Sequence, residues 1–168
     1  MNKAIFLDRD GVINKDLGYV HKISEFIWLP DVKQGIKKLK KNGYLVIIIS
    51  NQSGIGRGYY SSKDLKKLNL YINTQLKKVG TKIDAFYHCS YHPKFGLGAF
   101  KKNSFNRKPN PGMFLKAKKK YKINFNKSFF IGDKLTDNVA AKKAKIKFFQ
   151  SKNNFKKLVL KIIKNKND

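Results

Sequence analysis

The sequence predicts an α/β fold, a doubly wound parallel sheet in a single domain spanning residues 1–168. Three observations predict it. Short apolar runs alternate with longer amphipathic segments, so strands are separated by helices and joined by right-handed crossovers. The scarce acidic residues gather just past the ends of two apolar runs, where an open parallel sheet binds ligands. Two long irregular stretches, 11–30 and 90–110, interrupt the alternation at one place each, and neither a repeat nor a linker marks a second domain.

Taken in order, residues 4–8 read as the first strand and 32–41 as a helix with Val32, Ile36 and Leu39 on one face. Residues 45–50 form the second strand, inside the longest apolar run, Tyr44 to Ile49, which is far too short to cross a membrane. Ser61-Ser62 caps a helix running to about Val79, with Leu65, Leu68, Ile72 and Leu76 aligned. Residues 83–88 are the third strand, and Pro111-Gly112 opens a helix reaching about Tyr121. Residues 128–132 are the fourth strand, 135–144 a helix, 146–150 the fifth strand and 154–163 the closing helix.

A hydrophobic content of 41% with 13% aromatics supports a packed core and excludes disorder. One cysteine, Cys89, excludes an internal disulfide framework. No secretory leader is visible ahead of the first strand, so a soluble, cytoplasmic monomer is the expected state. The net charge is +28, but only Arg9, Arg57 and Arg107 are arginines; the other 35 basic residues are lysines spread over almost every helix. An even spread without clustered Arg points to a general lysine bias and away from a dedicated nucleic-acid partner. Non-specific attraction to polyanions at low salt follows all the same.

Against that basic background, Asp8/Asp10 and Asp133/Asp137 stand just beyond predicted strands. Ser50-Asn51 follows the second strand, and Arg107-Lys108 lies in the second long stretch. Taken singly, Asp-Arg-Asp-Gly reads as a turn and Gly-Asp-Lys as a helix cap. Together, carboxylates able to hold a hard divalent cation, a hydroxyl and a cation are what phosphoryl transfer requires.

These segments resemble the motifs of the haloacid dehalogenase (HAD) superfamily of phosphatases. Asp8-Arg9-Asp10-Gly11-Val12-Ile13-Asn14 is similar to the first motif, Ser50-Asn51-Gln52 to the second, Lys108-Pro109 to the third and Gly132-Asp133-Lys134-Leu135-Thr136-Asp137 to the fourth. Within the superfamily, four stretches resemble the heptose 1,7-bisphosphate 7-phosphatases: 18–21, 50–58, 107–113 and 132–135. Histidinol-phosphate phosphatases share the pattern closely. The resemblance implies a Rossmann-like three-layer sandwich without a large cap domain, and a small sugar (bis)phosphate substrate. It implies that Asp8 attacks phosphorus to form an aspartyl-phosphate, with Asp10 as acid and then base. It implies Mg²⁺ held by Asp8, the Asp10 carbonyl and Asp133, with Asp137 behind them, and Ser50 and Lys108 on the transferring phosphoryl group. By the same resemblance Asp16, Gly18, Tyr19, Asn51, Gln52, Ser53, Arg107 and Lys134 contact substrate.

One part of the pattern is broken. Many relatives bind a structural zinc in the long loop, at positions that here are Cys89, Tyr91, Ser104 and Asn106, with His92 one place late. A closed four-ligand site needs more N and S donors than these supply, so no zinc is expected. Phe95, Leu97 and Phe100 are expected to hold the loop by packing on the body of the domain. Histidinol-phosphate phosphatase, a basic polyanion-binding module and a nucleic-acid 3′-phosphatase are the alternative functions.

Overall fold

Alternate residues of the first strand, β1 (Lys3–Leu7), are buried in different places: Ala4 and Phe6 in one cluster, Ile5 and Leu7 in another. A strand covered on both faces belongs in the middle of a parallel sheet. The computed structural model, which describes residues 1–151 and 154–164, places it there. Its neighbours are β2 (Tyr44–Asn51) and β4 (Phe129–Gly132), flanked in turn by β3 (Ala85–Cys89) and β5 (Lys147–Gln150), all parallel in the order β3-β2-β1-β4-β5. The chain therefore steps outward from β1 to β3, then returns to β4 on the other side. Between β1 and β4 the winding reverses, which opens a crevice at the carboxyl ends of the strands.

Helices α1 (Val32–Lys41), α2 (Ser53–Gly56), α3 (Ser62–Lys77), α4 (Gly112–Tyr121), α5 (Leu135–Ala144) and α6 (Phe155–Lys164) fill the connections. Val32, Ile36 and Leu39 of α1, Leu68, Ile72 and Leu76 of α3, and Phe155, Val159 and Ile162 of α6 bury against Ile5, Leu7, Val46 and Ile48. On the opposite face Met113, Phe114 and Ala117 of α4 and Ala140, Ala141 and Ala144 of α5 meet Phe6, Ile47, Ile49 and Phe130. Phe114 contacts Phe6 and Phe130 edge-on at centroid distances of 5.1 and 5.0 Å. Each such buried side chain contributes about 1.5–3 kcal/mol. The result is the expected three-layer sandwich.

Sequence expectation and structure differ at few places. β3 starts at Ala85, not 83, because the Ile83 main chain is drawn to Asn73: Ile83 N–H donates to Asn73 Oδ1 at 2.8 Å and Asn73 Nδ2 returns to Ile83 O at 3.1 Å. Asp84 then pins the strand entry, pairing with Lys40 Nζ at 2.7 Å and accepting from Val46 N at 2.7 Å. The short helix α2 has no counterpart among the expected elements. The expectation for the 90–110 loop is corrected: Phe95 and Leu97 are 56% and 62% exposed. Phe100 does pack, tilted against Tyr91 and close over Gly56, and main-chain bonds add to it, Leu97 N to Gly56 O at 2.7 Å and His92 N to Phe100 O at 3.1 Å. None of the described helices is long and apolar enough to cross a membrane.

Candidate active site

The crevice at the reversal is an open cleft of about 400 Å³. Asp8, Asp10, Asp16, Gly18, Tyr19, Ser50, Asn51, Gln52, Ser53, Arg107, Lys108 and Lys134 all line it. Asp133 lies beside Asp8 and Asp137, with carboxylate oxygens of the three within 4.8 Å of one another. Residues from five separate places in the sequence are thus brought to one sheet edge.

Asp8 is placed by the sheet itself: its N–H donates to Ile131 O at 3.0 Å, continuing the β1–β4 ladder one residue further. Its carboxylate is buried and meets Lys108 Nζ at 2.9 Å. Lys108 also pairs with Asp137 at 2.7 Å and donates to Ile49 O at 3.0 Å, so its ammonium is fixed from three sides. Burial pushes the Asp8 carboxyl up to about 6, against the pull of Lys108. Burial likewise disfavours the Lys108 ammonium, but Asp8 and Asp137 outweigh it and hold its pKa above the usual value. Asn51 positions this lysine through the backbone: its Oδ1 accepts from Lys108 N and its Nδ2 donates to Lys108 O, both at 3.0 Å.

Asp137 sits in the first turn of α5 and caps it: Oδ2 accepts from Asp133 N at 3.2 Å and Lys134 N at 3.1 Å. With its other oxygen on Lys108, Asp137 is already engaged on both sides. Asp133 is different. Its Oδ1 is buried without a hydrogen-bond donor, and burial raises its pKa. An orphaned carboxylate oxygen on a residue grouped with Asp8 fits a hard cation that takes oxygen ligands. Two glycines make the close approach possible. A Cβ on Gly11, whose φ is +84°, would lie 2.2 Å from Asp133 Oδ2, and one on Gly132 would lie 2.6 Å from Asp137 Oδ2.

Asp10 is encircled by donors. Arg9 Nη2 reaches both of its oxygens at 2.9 Å, Asn14 Nδ2 donates to Oδ1 at 2.9 Å, and Gln52 Nε2 to Oδ2 at 3.3 Å. Arg9 is itself buried and also donates to Val20 O at 2.5 Å, tying residue 9 to the far side of the first long segment. Gln52 Nε2 donates to Ser50 Oγ at 2.7 Å, and Gln52 Oε1 accepts from Tyr60 Oη at 2.5 Å. Burial pushes the Tyr60 phenol up to about 12, so it keeps its proton.

At the mouth, Lys134 Nζ pairs with Asp16 at 2.9 Å. Arg57, at the end of α2, lies between two rings: its guanidinium is 4.5 Å from the Phe95 centroid and 5.5 Å from that of Tyr19. Its Nε is buried without a hydrogen-bond partner. Arg107 donates to Tyr91 O at 3.1 Å, and burial, with Arg57 nearby, pulls its pKa below the usual value. At the positions aligned with zinc ligands, Cys89 is buried in the core, Tyr91 tilts against Phe100, and Ser104 Oγ accepts from Asn106 N at 3.2 Å. His92 Nδ1 accepts from Lys94 N and Phe95 N, each at 3.1 Å, and so caps a turn.

Arg57, Tyr60, Thr136 and Asp137 line the cleft without having been expected to touch substrate, and Asn14 and Arg9 support Asp10 from below. The rarity of Arg was a signal for Arg57. Tyr60 gave none, since nothing in the sequence separates it from the exposed Tyr59 beside it.

Comparison with known proteins agrees with this geometry. The family model described as polynucleotide kinase 3 phosphatase matches residues 4–162. The D-glycero-beta-D-manno-heptose-1,7-bisphosphate 7-phosphatase of Pasteurella multocida is 44% identical over 88% of this chain and 79% of its own length. The D-glycero-alpha-D-manno-heptose-1,7-bisphosphate 7-phosphatase of Burkholderia mallei is 44% identical over 81% and 72%. Among solved structures, a HAD-like phosphatase of Mesorhizobium loti superposes with a TM-score of 0.87 at 30% identity, covering 98% of this chain and 87% of that one. The D,D-heptose 1,7-bisphosphate phosphatase of B. bronchiseptica, solved with magnesium and phosphate, gives 0.81 at 29% identity, covering 95% and 86%. With the sheet, the cleft and these relatives in agreement, the chain belongs to the HAD superfamily as a phosphatase of the heptose bisphosphate phosphatase group.

Proposed function

We propose that this phosphatase removes the 7-phosphate of D-glycero-D-manno-heptose 1,7-bisphosphate, a step toward surface-polysaccharide precursors, through an aspartyl-phosphate on Asp8. The observation that carries the choice of substrate is the pair Arg57 and Arg107. Both line the cleft, yet among the described residues neither is ion-paired, whereas Arg9, Lys108 and Lys134 each have a carboxylate. Two unanswered guanidiniums at the mouth suit a second phosphate held away from the reacting one. Histidinol phosphate, with one phosphate, leaves them unanswered. The relatives' names support the same reading and cover both anomers.

In this reading Asp8 attacks in line, Lys108 and Ser50 hold the phosphoryl oxygens, and Asp10 gives a proton to the leaving sugar oxygen before taking one from water. Asp8, the Asp10 carbonyl and Asp133 would hold Mg²⁺, which when bound supplies the positive charge that offsets charge developing on the phosphoryl group. The three N–H groups of Lys108 are taken by Asp8, Asp137 and Ile49 O, so holding a phosphoryl oxygen means handing over the bond to Asp8 while Asp137 and Ile49 O keep the ammonium in place. A phosphate-release panel with Mg²⁺ tests the proposal, with heptose 1,7-bisphosphate, histidinol phosphate, hexose monophosphates and a 3′-phosphorylated oligonucleotide. Heptose bisphosphate is expected to lead in kcat/KM by about tenfold or more. Preference for the oligonucleotide or for histidinol phosphate overturns it. One zinc per chain in the purified protein overturns the expectation of a zinc-free loop.

A further inference from the structure

We infer that Tyr60 is a positioning residue for proton transfer, acting through the amide of Gln52 on the carboxylate of Asp10. The inference rests on the acid–base reading of Asp10 given above. An amide side chain can be turned end for end at little cost unless its neighbours distinguish oxygen from nitrogen. Here they do. Asp10 Oδ2 is an acceptor and takes the NH₂ end at 3.3 Å, beside Ser50 Oγ at 2.7 Å, which leaves Gln52 Oε1 to accept from Tyr60 Oη at 2.5 Å. Gln52 and Tyr60 are 3% and 8% exposed, so water offers little substitute for these bonds.

The phenol is in turn held still. Its ring stacks on His21 at 4.7 Å with the planes 4° apart, and His21 Nδ1 lies 2.8 Å from Tyr19 O. The chain of contacts therefore runs from the substrate-facing turn at Tyr19, through His21, Tyr60 and Gln52, to Asp10. Asp10 must present one oxygen to the leaving group, and the donors around it fix which way its plane faces. Arg9 and Asn14 both reach Oδ1, and Arg9 also reaches Oδ2. Gln52 adds a donor to Oδ2 from the β2 side of the cleft, and it can do so only while its oxygen is turned to Tyr60. Loss of the phenolic hydroxyl leaves Gln52 Oε1 buried and unpaired, so the amide is no longer held in the position that serves Asp10.

Tyr60→Phe keeps the ring and its stack while removing one hydroxyl. The test compares kcat/KM on a sugar phosphate with that on p-nitrophenyl phosphate, whose leaving group departs without a proton. This parameter reports steps through P–O cleavage, where the acid acts, and the ratio cancels any loss at Ser50, which touches the phosphoryl group common to both esters. Tyr60→Phe and Gln52→Ala are expected to lower the ratio by about tenfold. Asp10→Asn is expected to lower it by about a hundredfold or more. Equal losses on both esters, or none, with Tyr60→Phe while Asp10→Asn discriminates, overturn the inference alone. An Asp10→Asn enzyme that keeps the wild-type ratio overturns the acid–base reading and the inference with it.

Discussion

The two long segments that leave the sheet, one after β1 and one after β3, are built in opposite ways. The first folds inward. Val12, Ile13, Val20 and Phe26 are buried, Arg9 binds Val20 O across the segment, and Asn14 is fully enclosed. The second lies outward, with Phe95, Leu97 and Phe105 more than half exposed and a main-chain bond from Leu97 N to Gly56 O of α2. Its last residues are the exception, because Lys108 reaches the centre of the site. In the proposed reading, the parts that would touch the reacting atoms are enclosed, while those that would meet the rest of the substrate, Asp16 and Tyr19 of the first segment among them, lie at the surface. Altering the first should therefore change kcat and stability, and altering the second should change KM.

The largest test of that contrast is Asp8→Asn, in the enclosed segment. Turnover should fall on the order of 10⁴-fold or more while circular dichroism shows an intact fold; measurable turnover would remove Asp8 as the nucleophile. Lys108→Met comes next and probes where the second segment changes character. It leaves Asp8 and Asp137 facing each other unpaired, so kcat should fall by about 10²–10³-fold and urea unfolding should show a loss of about 3 kcal/mol. A stable, active Lys108→Met protein would place Lys108 with the surface residues around it.

A matched pair of truncations sharpens the comparison. Phe26→Ala in the first segment removes a buried ring that packs on Trp28 and should cost about 3 kcal/mol. Phe95→Ala in the second removes an exposed ring and should cost about 0.5 kcal/mol or less, yet raise KM for a bisphosphate by releasing Arg57. Equal destabilisation by the two would end the distinction between the segments.

The smallest effect separates them by pH. Burial, with Arg107 and Arg57 nearby, holds the His92 pKa below its usual 6.5. Neutral His92 caps the turn at Lys94 and Phe95, so stability is present above 6.5 and lost as pH falls toward the folded value. In the first segment, slight burial opposes the Glu25 carboxylate, but main-chain N–H groups of His21 and Lys22 outweigh it and hold the pKa below 4.5. Its contribution is present above 4.5 and lost only as pH falls through the folded value. Amide resonances of Lys94 and Phe95 should therefore move in NMR spectra with the His92 step at a pH below 6.5, and those of His21 and Lys22 with the Glu25 step at a pH below 4.5.

Much of this was legible in the chain. The unbroken apolar run of β1 and the spaced apolar residues in α1 and α3 give the sandwich, because burial on both faces leaves few other arrangements. The residues that gather at the cleft were legible because carboxylates are scarce against so many lysines. Supporting roles were not. Asn51 and Gln52 spend their amides on Lys108, Ser50 and Asp10, and only coordinates reveal which hydrogen bonds an amide makes. The exposure of Phe95 and Leu97 was hidden too, since an apolar side chain in a loop can be a staple or a contact surface, and the two have the same sequence.

Gly11 and Gly132 leave a mark outside structural work. Each allows a carboxylate to occupy the volume where a side chain would begin. In a saturation screen for activity, both positions should tolerate as little as Asp8, alanine included, although neither can donate, accept or attack through a side chain. Adaptive variants or library designs for this enzyme should therefore draw their changes from the outward segment, and hold these two positions fixed along with the aspartates they accommodate.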